Sequence, residues 1–294
     1  MRRYAADMAS EHGGSGYVHG TSEREQARLV RQAEILRPVL LAGLELAPGE
    51  RVLEVGCGVG AVLGELAAAE PTLQLTGLDR SAEQVAGARQ HLDARGVQAS
   101  LIQGDARALP FADGSFDRVV MVWVLEHLAN EPMRLAALQE ARRVLRPGGR
   151  IDLTETDYGL FRATPRNAAI DAFLAAFVQH FDAHGDSGVG PRLGPLLETA
   201  GFAAVDSRMH GLHFWCPSRA TALETFTAYI LDFVRPELAA MAAGRPAEDA
   251  ARIMHGAERF GSLAAIPDGS FSATIWRATG RKTAAHDGGS REGE

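Results

Sequence analysis

Apolar and polar positions alternate between two periods along this chain, and the switch between them marks out its elements. Residues 51–55, Arg-Val-Leu-Glu-Val, read as a short apolar strand. A helical run follows from Ala61 to about Ala69 and stops before Pro71. A second strand, Leu73–Leu78, ends at Asp79, and Ser81 with Gln84 opens a helix that runs to Gly96. A third strand, Ser100–Gln103, ends at Gly104-Asp105. Residues 117–124 are almost continuously apolar, the pattern of a strand covered on both faces. A helix from about Met133 to Leu145 ends at Pro147-Gly148-Gly149, and a fifth strand, Arg150–Thr154, follows. Ahead of this region, Ser22 and Glu25 form a capping box, and Leu29, Ala33, Leu36 and Leu40 recur at helical spacing.

Strand–helix units repeated at this length predict right-handed crossovers and a parallel sheet with helices on both faces. The fold class is therefore α/β, with a doubly wound, mostly parallel sheet. Beyond Asp157 the rhythm changes. Asn167–Phe181 and Pro191–Ala200 read as helices, 203–215 as a strand, 219–260 as helices broken at Pro236 and around Gly244-Arg245-Pro246, and Ser270–Thr279 as a last strand. Four units result: an arm and helix over 1–47, a core over 48–158, the rest of the sheet with helical insertions over 159–281, and a polar tail over 282–294 expected to be disordered.

Composition narrows the class. The 294 residues are 46% apolar and 23% charged, as in a soluble globular protein. The net charge of −7 argues against a surface built to bind nucleic acid. The two cysteines, Cys57 and Cys216, cannot form a disulfide framework. No signal peptide opens the sequence and no apolar run approaches the ~20 residues that span a bilayer, so no membrane partner and a cytoplasmic location are expected.

The chemistry concentrates where the first strand ends. Glu54 precedes Gly56, Gly58 and Gly60. Glycines here let bare backbone approach a ligand, and the acid suits a ligand with a positive group better than a pyrophosphate. The spacing Gly-x-Gly-x-Gly departs from the dinucleotide fingerprint Gly-x-Gly-x-x-Gly, which disfavours a nicotinamide-dependent oxidoreductase. Ligands of such sheets bind at the carboxyl ends of the strands, where Glu54, Asp79, Asp105 and Glu155 all fall.

Taken in order, Val52–Gly60, Asp79, Gly104-Asp105-Ala106, Leu109-Pro110-Phe111-x-Asp113-Gly114-Ser115-Phe116-Asp117, Val124-Leu125-Glu126-His127 and Leu145-Arg146-Pro147-Gly148-Gly149 resemble the class I S-adenosylmethionine-dependent methyltransferases. The resemblance is strong over residues 50–157 and looser over 190–281. The arm, Tyr17 to Glu25, is similar to that of a bacterial subset acting on small molecules. The resemblance implies a seven-stranded sheet, S-adenosyl-L-methionine as cofactor, and cofactor contacts from Tyr17, Glu54, Gly56, Gly58, Asp79, Arg80, Asp105, Ala106, Val122 and His127. Asp79 would accept from the ribose hydroxyls, Asp105 and the Ala106 amide would meet adenine, and Glu54 would favour the ammonium group.

Methyl transfer from a sulfonium needs a base only when the acceptor must lose a proton. His19 on the arm, with Glu155 and Asp157 after the fifth strand, are the expected acceptor-side residues. Tyr158, Glu126, His213 and Trp215 are further candidates, and Asp152, Glu155 and Asp157 are set too diversely by strand geometry to favour a metal. Apolar residues such as Phe161, Phe173, Phe177, Phe226, Tyr229 and Phe233 fit either a pocket or ordinary core. The helices of 160–200 and 219–260 could cap the site or pair subunits into a homodimer or higher homo-oligomer. The position after strand four reads Val122-Trp123-Val124-Leu125, without the Pro-Pro-aromatic motif common in nucleic-acid methyltransferases. The favoured reading is methyl transfer to O, N or C of a small, partly apolar metabolite. The alternative is a non-catalytic scaffold or regulatory protein that binds the same cofactor.

Overall fold

A computed structural model describes residues 23–283. The chain enters through helix α1 (Glu23–Leu40), whose Ala33, Leu36 and Leu40 are buried as its spacing predicts. The capping box at Ser22 and the arm residues Tyr17 and His19 lie outside the described residues. Strands and helices then alternate: β1 (Arg51–Val55), α2 (Ala61–Ala69), β2 (Gln74–Asp79), α3 (Ala82–Ala94), β3 (Ala99–Gln103), β4 (Phe116–Val122), α4 (Glu131–Val144) and β5 (Leu145–Thr156). The second half supplies β6 (Arg162–Thr164), α5 (Ala168–Asp182), α6 (Leu193–Thr199), β7 (Ala203–Trp215), α7 (Ala220–Val234), α8 (Leu238–Ala242), α9 (Ala247–Gly261) and β8 (Ser270–Arg281).

The sheet order is β3-β2-β1-β4-β5-β8, with β1 to β5 parallel and β8 antiparallel to β5. β6 pairs with β8 at residues 270–272, on the edge where β5 pairs with 275–281, while β7 pairs along the opposite edge of β8. Eight strands thus fill seven positions, and the expected α/β doubly wound sheet is present. Strand residues alternate between two apolar layers. Val52, Val120 and Val122 face one layer with α2, α5, α7 and α9; Leu53, Val55, Val119 and Met121 face the other with α4 and α6.

Two boundaries differ from the pattern-based expectation, each for a backbone reason. β4 stops at Val122 because Trp123 adopts φ 52, a left-handed conformation that turns the chain out of the sheet. β5 begins at Leu145, ahead of the predicted Arg150, because Pro147-Gly148-Gly149 is held by the residue that follows β8, inside the tail expected to be disordered: Gly148 N–H donates to Lys282 O (2.7 Å) and Lys282 N–H to Gly149 O (2.9 Å). Lys282 also donates from Nζ to the carbonyls of Arg143 and Leu145.

Candidate active site

A cavity of about 1050 Å³ opens at the carboxyl ends of β1, β2 and β4. Its floor is the turn after β1. Gly56, Gly58 and Gly60 have φ of 73, 50 and 70, conformations that cost an L side chain energy. A Cβ on Gly56 would sit 2.5 Å from Val124 Cγ2, so the loop can lie against the β4 turn only as glycine. The amides of Gly56 and Cys57 both donate to Leu78 O, which pins the loop to β2.

Asp79, at the end of β2, lines this cavity. Its Oδ2 accepts from Gly58 N–H and its Oδ1 from Ser81 N–H, each at 2.9 Å. One carboxylate therefore fixes the glycine loop and the start of α3, and each oxygen keeps acceptor capacity toward the cavity. Burial raises its pKa, and the two amides oppose that rise.

Glu54 also lines the cavity and is 2% exposed, with no hydrogen-bond partner for Oε2. Burial pushes its carboxyl well above the usual range, opposed by a backbone bond from Leu63. A buried carboxyl with an orphaned oxygen calls for a positively charged donor. Arg80 and Ala106 line the same cavity. Asp105 does too, but Arg107 grips it with bonds of 2.6 to 3.2 Å, and that contact holds the Asp105 carboxyl below its ordinary range.

The far wall is the turn after β4. Val122, Trp123, Val124, Glu126 and His127 line it, together with Tyr158, Phe233 and residues of α1. Trp123 is secured at both ends: its N–H donates to Thr154 O and its indole Nε1–H to Thr156 Oγ1, each 2.9 Å. His127 packs against Phe181 at 5.7 Å between ring centres. Burial first, then the guanidinium groups of Arg28 and Arg80, pull its pKa down to about 4, so the ring is neutral at pH 7.

Most expected cofactor-side residues thus meet in one space: Glu54, Gly56, Gly58, Asp79, Arg80, Asp105, Ala106, Val122 and His127. Two of the three expected acceptor-side residues are placed elsewhere. Glu155 is fully buried and outside the cavity lining, because its Oε1 accepts from Val124 N–H (3.0 Å) and Leu125 N–H (2.7 Å). Asp157 caps the short turn Tyr158–Leu160 through Gly159 N–H (3.0 Å), and it does not line the cavity. Asp152 pairs with Arg118 and Arg150 and does not line the cavity. His213 stacks on Trp215 along β7, away from the cavity lining. Of the aromatic set, Phe233 lines the cavity, while Phe161, Phe173, Phe177, Phe226 and Tyr229 pack in the core; the separate candidate Tyr158 also lines the cavity.

Sequence reasoning missed Arg28 and Gln32. Both line the cavity from α1, and Arg28 also lies over the rings of Tyr229 (5.6 Å) and Phe233 (4.8 Å). Their signal was present: a polar pair at i, i+4 directly beside the apolar stripe of Leu29 and Ala33.

Residues 52–149 match the family model described as "Methyltransferase domain". Over this segment the chain is similar to methyltransferase domains. The chain is 34% identical to 27-O-demethylrifamycin SV methyltransferase of Amycolatopsis mediterranei over 57% of its own length and 59% of the relative's. It spans about half the length of the curated relatives it matches. Two solved structures share the architecture of the methyltransferase domain and its flanking elements. One, a candidate methyltransferase from Bacillus halodurans, has a TM-score of 0.56 at 21% identity, covering 86% of this chain and 100% of that one. The other is phosphoethanolamine N-methyltransferase 2 of Haemonchus contortus in complex with S-adenosyl-L-methionine, with a TM-score of 0.55 at 15% identity, covering 88% of this chain and 57% of that one.

Proposed function

We propose that this protein is an S-adenosyl-L-methionine-dependent methyltransferase acting on a small, partly apolar metabolite. One observation carries the reading: a single cavity joins a glycine turn flanked by Glu54 and Asp79 to an aromatic wall of Trp123, Tyr158 and Phe233. The first end suits a cationic amino-acid nucleoside, and the second suits an acceptor with apolar surface.

The residues fit that cofactor. Glu54 Oε2, buried and unpartnered, would take its ammonium group. Asp79 would take the ribose hydroxyls, and Ala106 with Arg80 would flank the adenine. Since Arg107 occupies Asp105, adenine recognition through that carboxylate requires the two to share it or part. The cofactor supplies a methyl group already activated on sulfur. The chain's own contribution is positioning and exclusion of water. The Gly56 backbone leaves room for close approach, Trp123 is locked at the β4 turn, and Tyr158 and Phe233 keep the acceptor end dry. The acidic net charge and the sequence Val122-Trp123-Val124-Leu125 after β4 support a metabolite over a nucleic acid.

Titration calorimetry with the cofactor tests the first half. Asp79→Ala is expected to weaken binding by about 1–3 kcal/mol through lost charge-assisted hydrogen bonds. Unchanged affinity in the folded variant would remove the ribose assignment. Incubation with cofactor and source-organism extract, followed by mass spectrometry, is expected to yield a product about 14 mass units heavier, the mass of one added methylene.

A further inference from the structure

Glu126 and Glu155 form a buried pair of carboxyl groups, 2% and 0% exposed, in direct contact with each other behind the β4 turn. Glu155 is anchored by the Val124 and Leu125 amides. Glu126 Oε1 accepts from the Tyr158 hydroxyl at 3.1 Å. The Oε2 atoms of both are sealed from solvent, and neither takes a hydrogen bond from another described residue. Of the two, only Glu126 lines the cavity, beside Tyr158.

Two carboxylates in contact inside a protein cannot both ionise without large cost, so the pair keeps one proton between them. The two amides on Glu155 favour its ionised form, which leaves the proton on Glu126. Its burial and the neighbouring Glu155 charge both push the Glu126 carboxyl well above the ordinary range.

We propose that Glu126 is the catalytic residue that takes the proton from an acceptor hydroxyl, and that Glu155 is the positioning residue that shares its proton in the empty site. This rests on the methyltransferase reading above. A cation entering the dry cavity favours the ionised pair, so cofactor binding expels the shared proton and leaves Glu126 ready as a base. In the transfer, the acceptor O–H proton passes to the Glu126 carboxylate and the new O–CH3 bond forms from the freed oxygen pair. The C–S bond breaks with its electrons going to sulfur, which becomes a neutral thioether. The proton leaves to solvent with the products. The titratable and charged groups around the pair are Tyr158 after β5, His127 beside it, Arg28 on α1, Arg134 on α4 and Tyr229 on α7. His127 is already neutral at pH 7 and has no proton to release.

Calorimetry in two buffers of different ionisation enthalpy counts the protons. At pH 7, S-adenosyl-L-methionine is expected to release about one proton on binding, and the uncharged thioether S-adenosylhomocysteine almost none. Glu126→Gln should bind the cofactor and release almost no proton; Glu155→Gln, carrying the same test if the first variant misfolds, should behave alike. Infrared spectra of the ligand-free protein give a readout independent of cofactor: a carboxylic-acid C=O band that titrates in the wild type and is missing from Glu126→Gln. Buffer-independent enthalpies in the wild type, or proton release that persists in Glu126→Gln, would overturn the proposal. Failure of the wild type to bind the cofactor at all would instead overturn the methyltransferase reading, with the infrared band still deciding whether the proton is shared.

Discussion

At the scale of single residues, the site is built from side chains whose ordinary protonation the fold has shifted. His127 illustrates how such a shift becomes a stability effect. Its folded pKa, about 4, lies below its unfolded value near 6.5. Between those pH values the unfolded chain binds a proton that the folded chain does not, so stability rises with pH across this window and is lost as pH falls toward 4. The contribution is up to about 3 kcal/mol. His127→Gln is expected to flatten the acid side of a stability–pH curve measured by urea denaturation. The Glu126–Glu155 pair has the opposite sign. Raised carboxyls keep a proton that the unfolded chain sheds above about pH 4.5, so they lower stability as pH rises toward neutrality. A curve unchanged in His127→Gln would show that the imidazole is charged in the folded protein.

At the scale of elements, the turn between β4 and α4 is the part held most tightly. Glu155 anchors its first amides from β5. From α4, Arg134 donates to Leu125 O (3.0 Å) and Leu128 O (2.6 Å) and pairs with Asp186 at 3.0 Å. Asp186 in turn donates its N–H to Glu126 O at 2.8 Å and pairs with Arg192. Trp123, Val124, Glu126 and His127, which line the cavity, all belong to this turn. Arg134→Ala removes the side-chain donor to Leu125 O and Leu128 O and leaves Asp186 with Arg192 alone, and is expected to cost about 2–4 kcal/mol of folding stability. Thermal denaturation measures the loss. Cofactor affinity measured on the folded fraction should fall as well, and a normal melting temperature with normal affinity would mean that Arg134 does not hold the turn.

At the scale of the whole molecule, one sheet carries two jobs at opposite edges. The carboxyl edge opens into the cavity. At the other edge Arg118 is buried among Glu50 (3.1 Å), Asp152 and the Glu45 carbonyl (2.8 Å), while Arg150 and Arg277 reach the carbonyls of Gly43 and Ala42. These bonds tie the segment after α1 to β4, β5 and β8, so the helix that bears Arg28 and Gln32 is fixed over the cavity from the far side of the sheet. Arg118→Met removes one of the two arginines paired with Asp152, the other being Arg150 at 3.1 Å, with an expected loss of about 3 kcal/mol in denaturant unfolding. A variant as stable as the wild type would show that the cluster is not holding α1.

The sequence by itself determined the alternation of strand and helix, the glycine turn with Glu54 and Asp79, and the methyltransferase resemblance. Each is written in residues close together in the chain, where period, capping and glycine spacing are local facts. The tertiary structure alone decided which acids line the cavity. Glu155 sits at a strand end like Glu54, yet the turn after β4 folds back over it and claims its oxygen for two amides. Arg28 reaches the cavity only because α1 packs beside α2 and α7. Burial and hydrogen bonding between distant segments set those outcomes, and neither has a period that a linear reading can detect.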